Sequence, residues 1–225
     1  YLLNTLKLSI FGLLWSFPIP IILALLLNRI RKAGIKKKIQ LLIYAPNFIS
    51  VIVLCGMVRM FLSPVGPLNR LLGMNTNWMT MPSAFRTIYI ASGIWQGAGW
   101  ASIMYTAALS NASKELEEAA KIDGCNAIKT LWYVIVPMLK PSLVSCALFQ
   151  FMWTSNDFMG PLIYISDMEK YTNSIYLRMS MDGDVGFQWN RILAMSLISI
   201  IPSLIVFFCA QDSFIDGIAA GGVKG

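Results

Sequence analysis

Five long apolar runs divide this chain, approximately Leu6 to Leu27, Ile39 to Leu62, Thr87 to Leu109, Leu143 to Ile165 and Ile192 to Ala210, with short polar segments between them. Crossing a hydrocarbon core of about 30 Å takes roughly 20 residues of helix at ~1.5 Å each, so every run is long enough to span a membrane. So little chain is left between the runs that no soluble domain fits. The pattern predicts an all-α, polytopic membrane helical bundle forming one domain over residues 1–225. Pro18, Pro20, Pro46 and Pro202 interrupt the runs and predict kinks, because a mid-helix proline removes a backbone hydrogen bond.

Composition agrees, with 56% hydrophobic residues, 13% charged residues and a mean hydropathy of +0.63. Charge then orients the bundle. Arg29, Arg31, Lys32, Lys36, Lys37 and Lys38 fill the short connection after the first run, which the positive-inside rule places in the cytoplasm, beside anionic lipid head groups. Counting from there, Lys114, Lys121, Lys129, Lys140 and Lys224 are also cytoplasmic, which puts 11 of the 18 Lys and Arg on that side. The other seven, Lys7, Arg59, Arg70, Arg86, Lys170, Arg178 and Arg191, are offset by Asp167, Glu169, Asp182 and Asp184. The net charge of +7 is therefore a topology signal and no pointer to nucleic acid. Tyr1 opens the chain outside on this count, so an upstream span is expected to precede it, and the opening lacks the arrangement of a signal peptide.

Most enzyme chemistry is excluded. The chain has no His, hence no His-dependent nucleophile and no His metal site, and it has no phosphate-binding G-x-x-x-x-G-K-[ST] loop. Cys55, Cys146 and Cys209 lie in apolar runs and Cys125 in a polar connection, without a close pair. If ATP drives this protein, another chain hydrolyses it.

The polar connection between the third and fourth runs carries the most chemistry. Ser113 suits an N-cap, Glu115 and Glu117 fall in the first turn where the helix dipole favours them, and Gly124 suits the left-handed residue that ends a helix. A short helix from Lys114 to Asp123 follows, with Leu116, Ala119 and Ala120 on one face and Glu118 and Lys121 beside it. A second helical stretch from Ala127 stops at Pro137, whose ring and missing N–H oppose continuation. The result is a helix-turn-helix elbow under the membrane.

Glu118-Ala119-Ala120, Asp123-Gly124 and Pro137 at these spacings resemble the EAA loop of permease subunits of binding-protein-dependent ABC importers. Asn4 to Leu8, Leu42 to Ser50, Ser63-Pro64 with Gly66, and Ile94-Trp95 through Gly99-Trp100 resemble polysaccharide and oligosaccharide permeases. Trp153 to Phe158 with Pro161-Leu162, Lys170-Tyr171-Thr172 and the tail Gly217 to Gly225 look more like maltose-type permeases. The resemblance implies a multi-pass protein of a bacterial or archaeal inner membrane, with a cytoplasmic coupling loop at about 111–141, that imports a sugar or oligosaccharide. It implies ATPase coupling by Glu118, Ala119, Ala120, Asp123, Gly124 and Pro137, with Gly221 and Gly222 reaching toward the same interface. Its implied partners are ABC ATPase subunits, a second permease forming a heterodimer, an external solute-binding protein and membrane lipid. No cofactor is bound by the chain itself, and ATP and Mg are used by the partner ATPase. A non-sugar solute, a secondary transporter and a membrane scaffold are the alternatives.

On an ideal helix Cys146, Gln150, Trp153, Asp157, Pro161 and Tyr164 fall within a sector of roughly 60°, with Asn156 at its edge. A carboxylate in mid-membrane facing lipid costs roughly 2.5 to 3.5 kcal/mol, so Asp157 is expected to face protein or a wet cavity. Hydrogen-bonding and aromatic groups together suit a sugar path through Gln150, Trp153, Asn156, Asp157 and Tyr164, and they suit interhelical packing equally. Gly93, Gly97 and Ala101 form a small-residue ridge on which another helix is expected to pack. Gln96 beside it is a further path candidate.

Overall fold

The structure, a computed structural model, describes residues 1–30, 32–111, 119–120, 122–181 and 189–222, and every regular element among them is a helix. The first apolar run forms α1 (Leu2–Ser16) and α2 (Pro18–Arg29). Phe17 between them keeps helical dihedrals of φ −77° and ψ −44°, and its N–H reaches the Leu13 carbonyl at 3.2 Å, so one 28-residue run results. Pro18 opens α2, where its missing N–H matters little.

The second run, expected as one span, is broken. α3 (Ala33–Tyr44) passes through a 3₁₀ turn at Ala45–Phe48 into α4 (Val51–Phe61), and the two limbs meet at 97°. Pro46 sits in that turn, where it forbids an α-helical bond. Ser50 restarts the helix by accepting the Val53 N–H at 3.3 Å. The carbonyl of Ile49, freed by the break, accepts a 2.7 Å bond from the Gln96 side chain.

After α4 comes α5 (Pro67–Leu72), fixed by fully buried Asn69. The Asn69 amide donates to the carbonyls of Ser63 and Thr76 at 2.8 and 2.7 Å, and its Oδ1 accepts from Trp78 Nε1 at 3.1 Å. Then follow α6 (Phe85–Asn111), α7 (Ala127–Thr130), a π turn at Leu131–Ile135, α8 (Val136–Asn156), α9 (Met159–Tyr164), α10 (Asn173–Ser180) and α11 (Trp189–Gly222). α2 packs along α6, α1 against α8 and α6, and α8 against α11. One buried cluster joins Leu8, Cys55, Phe85, Tyr164, Ile165 and Ile175; the other joins Ala24, Tyr105 and Leu109, with Ile135 and Leu139 packed on it.

Among the described residues, two helical runs are long and apolar enough to cross a membrane, Leu2–Arg29 and Trp189–Asp212, with a third if the bent pair around Ile49 counts as one. α6 with 27 residues and α8 with 21 have the length but are more polar. These two are also central in the packing, where Ser, Thr, Gln and Gly meet other helices and a fully apolar surface is not required.

Candidate functional site

The elbow is built from two local rules. Gly124 adopts φ 79°, and the amides of Asp123 and Cys125 each bond at 2.9 Å, to the carbonyls of Ala119 and Ala120 respectively. The second bond spans five residues, the closure that a left-handed glycine permits at a helix end. Asn126 begins the next helix by accepting the Lys129 N–H at 2.8 Å. Ile122 is 86% exposed, and Asp123 and Gly124 are exposed with it. Ala119 is exposed but Ala120 is buried, so the two alanines do not share one outward face. Glu118, along with Ser113, Leu116 and Lys121, lies outside the described residues.

Pro137 does not end a helix. It stands at the start of α8, within a run that continues from Ala127 to Asn156. The π turn immediately before it accounts for this: the Val136 N–H reaches back five residues to the Leu131 carbonyl. Widening the turn there relieves the register at which a proline ring meets the carbonyl four residues earlier. The same turn leaves Trp132 and Tyr133 exposed.

The expected polar stripe is divided by a break. α8 stops at Asn156, and Asp157 has an extended backbone with φ −65° and ψ 127°. Pro161, four residues on, lacks the N–H that a continuous helix would direct to the Asp157 carbonyl. Gln150, Trp153, Asn156, Asp157 and Tyr164 therefore do not form one surface. Trp153 is 78% exposed, and Asn156 is exposed with its amide on the Met152 carbonyl at 2.8 Å. Gln150 bonds Thr154 at 3.3 Å, and Tyr164 is buried in the core. Asp157 is half-buried; its Oδ2 accepts the Tyr89 hydroxyl at 2.7 Å and its Oδ1 the Gly160 N–H at 3.3 Å.

The ridge on α6 is also used differently from expectation. A Cβ added at Gly93 or Gly97 meets nothing within 4 Å, whereas one at Gly99 would lie 1.9 Å from the Ile43 carbonyl. The close approach of α3 is thus at Gly99. Trp95 and Trp100 stand exposed beside the open ridge, with Phe48 edge-on to Trp100 at 5.9 Å.

Several positioning groups carried no signal in the sequence. Tyr89, 68 positions from Asp157, is one. Ser9 and Ser155 share a 2.9 Å hydroxyl contact between α1 and α8, and the Thr5 hydroxyl accepts the Asn173 N–H at 2.9 Å. The Asn173 amide also bonds Ser199, tying α10 to α11. Long-range pairs of this kind have no local pattern to find.

A model of the family described as binding-protein-dependent transport system inner membrane component matches residues 16–215. The chain is 39% identical over 146 residues to the polygalacturonan/rhamnogalacturonan transport system permease protein YteP of Bacillus subtilis (strain 168), covering 63% of this chain and 46% of that one. It is 34% identical over 126 residues to the trehalose/maltose transport system permease protein MalG of Thermococcus litoralis, covering 56% and 44%. It thus spans less than half the length of these relatives. A solved bacterial ABC transporter involved in the import of the acidic polysaccharide alginate has a chain that matches with TM-score 0.84 and 29% identity, over 95% of this chain and 77% of that one.

Proposed function

The chain belongs to the family of binding-protein-dependent transport system inner membrane components, and on that footing we propose that it is a permease subunit of an ATP-driven importer. Its solute is a sugar or oligosaccharide handed over by an external solute-binding protein, and it pairs with a second permease in a five-span arrangement. The family match across residues 16–215 carries the reading. Permeases named for polygalacturonan/rhamnogalacturonan and for trehalose/maltose among the relatives, and the alginate importer among the solved structures, support a carbohydrate.

ATP and Mg belong to a separate ATPase in this reading, and the elbow is its docking point. Ile122, Asp123 and Gly124 project from the turn, Ala119 flanks them, and Glu118 adds charge. Ala120 is buried, and Pro137 is exposed at the start of α8. Within the membrane, Trp153 and Asn156 are the exposed members of the path, offering an aromatic face and an amide. Gln150 and Asp157 are half-buried, and Tyr164 lies in the core. The test is solute-stimulated ATP hydrolysis by the reconstituted complex across a panel of oligosaccharides with their binding protein. Stimulation by an oligosaccharide is expected; hydrolysis that no carbohydrate stimulates, but a non-sugar solute does, refutes the substrate class.

A further inference from the structure

Two arginines stand where three helices converge, and nothing described there neutralises them. α9 packs on both α4 and α6, and Cys55 of α4 belongs to a buried cluster on which Tyr89 of α6 and Phe158 pack. By the charge count α4 leads out to the connection at 62–84 and α6 leads back from it. Arg59, four residues after Cys55, and Arg86, three before Tyr89, therefore both lie about one turn outward of that cluster. At ~100° per residue Arg59 is turned roughly 40° from Cys55 and Arg86 roughly 60° from Tyr89, so each borders the junction face of its helix. Arg59 is exposed and Arg86 is half-buried. Among the described residues neither has a hydrogen bond or an ion pair. The oxygens of Asp157 are taken by Tyr89 and Gly160, and Asp167 Oδ1 accepts the Glu169 N–H at 3.0 Å. Gly56, three residues before Arg59, leaves space beside it, since a Cβ there meets nothing within 4 Å. Asn156 and then Trp153 lie further inward along α8, both exposed.

We propose that Arg59 and Arg86 form an anion-selecting mouth on the path, and that the transported oligosaccharide carries carboxylates. A guanidinium at the end of an apolar run keeps its charge and needs water or an anion beside it. Its planar fork matches a carboxylate with two parallel hydrogen bonds, a pairing that uncharged sugar hydroxyls do not offer. A solute entering from outside meets the two cations before Asn156 and Trp153, so its acid groups are held first and its rings reach the amide and indole next. Outer head-group phosphates are the competing anion. Against them, each arginine borders the helix junction and not the far side of its helix. The inference rests on the carbohydrate reading above and narrows it to acidic sugars.

Equilibrium binding of trigalacturonate and of its neutral methyl ester to the assembled complex in nanodiscs, without the binding protein, tests the pairing. Wild type should bind the acid more tightly than the ester, and rising salt should narrow the difference. Arg59→Gln and Arg86→Gln should each lower the acid preference by about tenfold. Arg59→Lys and Arg86→Lys should lower it less, because charge remains without the fork. Arg178→Gln, an exposed arginine on α10 away from the junction, should leave it unchanged. A wild type that does not prefer the acid, or Gln variants that keep the wild-type preference, overturns the inference. If the Gln variants do not assemble, the Lys variants decide, and an unaltered preference in both overturns it. In the transport panel, stimulation by neutral oligosaccharides alone would overturn acid selection and leave the carbohydrate reading standing, whereas stimulation by non-sugar solutes alone would remove the carbohydrate reading itself.

Discussion

Asp157 shows how one carboxylate can be kept inside a bundle. Its two oxygens accept the Tyr89 hydroxyl at 2.7 Å and the Gly160 N–H at 3.3 Å. Gly160 is required for the approach, since a Cβ there would lie 2.7 Å from Asp157 Oδ2 and 2.8 Å from the Tyr89 ring. A double-mutant cycle with Asp157→Asn and Tyr89→Phe is expected to give a coupling of about 1 to 3 kcal/mol in unfolding of the purified complex. Additive effects would show that the pair contributes nothing jointly. Trp153→Ala should behave oppositely, because its side chain is 78% exposed: stability should change by less than about 0.5 kcal/mol while sugar uptake per assembled complex falls. Unchanged uptake would remove Trp153 from the path. In the sequence Trp153 and Asp157 look equivalent, because they share a sector of one ideal helix drawn unbroken through Tyr164. Pro161 is the local sign of the break, since it has no N–H to offer the Asp157 carbonyl.

At the scale of elements, local chemistry was legible where a single residue sets the geometry. Gly124 ends its helix with a positive φ, as a glycine at that position suggests, and the structure adds Asn126 as the cap of the next helix. Prolines are harder to interpret from sequence, because their effect depends on the turns around them. Pro46 breaks its run by 97°, whereas Pro137 is absorbed by a π turn that no residue pattern announces. Gly124→Val should therefore strain the elbow by on the order of 1 kcal/mol or more. ATPase copurification and solute-stimulated hydrolysis are expected to fall in that variant while membrane insertion persists. Wild-type values for both would exclude the elbow as the docking point. Gly99→Val acts on packing instead: with Ile43 backbone in the way, α3 must move off α6, and expression of folded protein should drop.

For the molecule as a whole, the bundle and its class were legible because apolar runs of span length have few other uses in water, but span number was harder to read from hydropathy alone. α6 and α8 owe part of their polarity to contacts with neighbouring helices, through pairs such as Gln96 with Ile49 and Ser155 with Ser9, which hydropathy cannot distinguish from exposure to water. Orientation rests on the 11 to 7 division of Lys and Arg, which places the elbow inside and the connection around Met168 outside. Cys125 is half-buried at the elbow, and Met168 is 67% exposed between α9 and α10. With Cys55, Cys146 and Cys209 replaced by Ser, a membrane-impermeant maleimide should label Cys125 only after the cytoplasmic face is opened. In the same background with Cys125→Ser, Met168→Cys should be labelled from outside in intact cells. An odd number of crossings separates the two positions in the five-span arrangement, so labelling of both from one face would require α8 to return without crossing, and the proposed topology would fall.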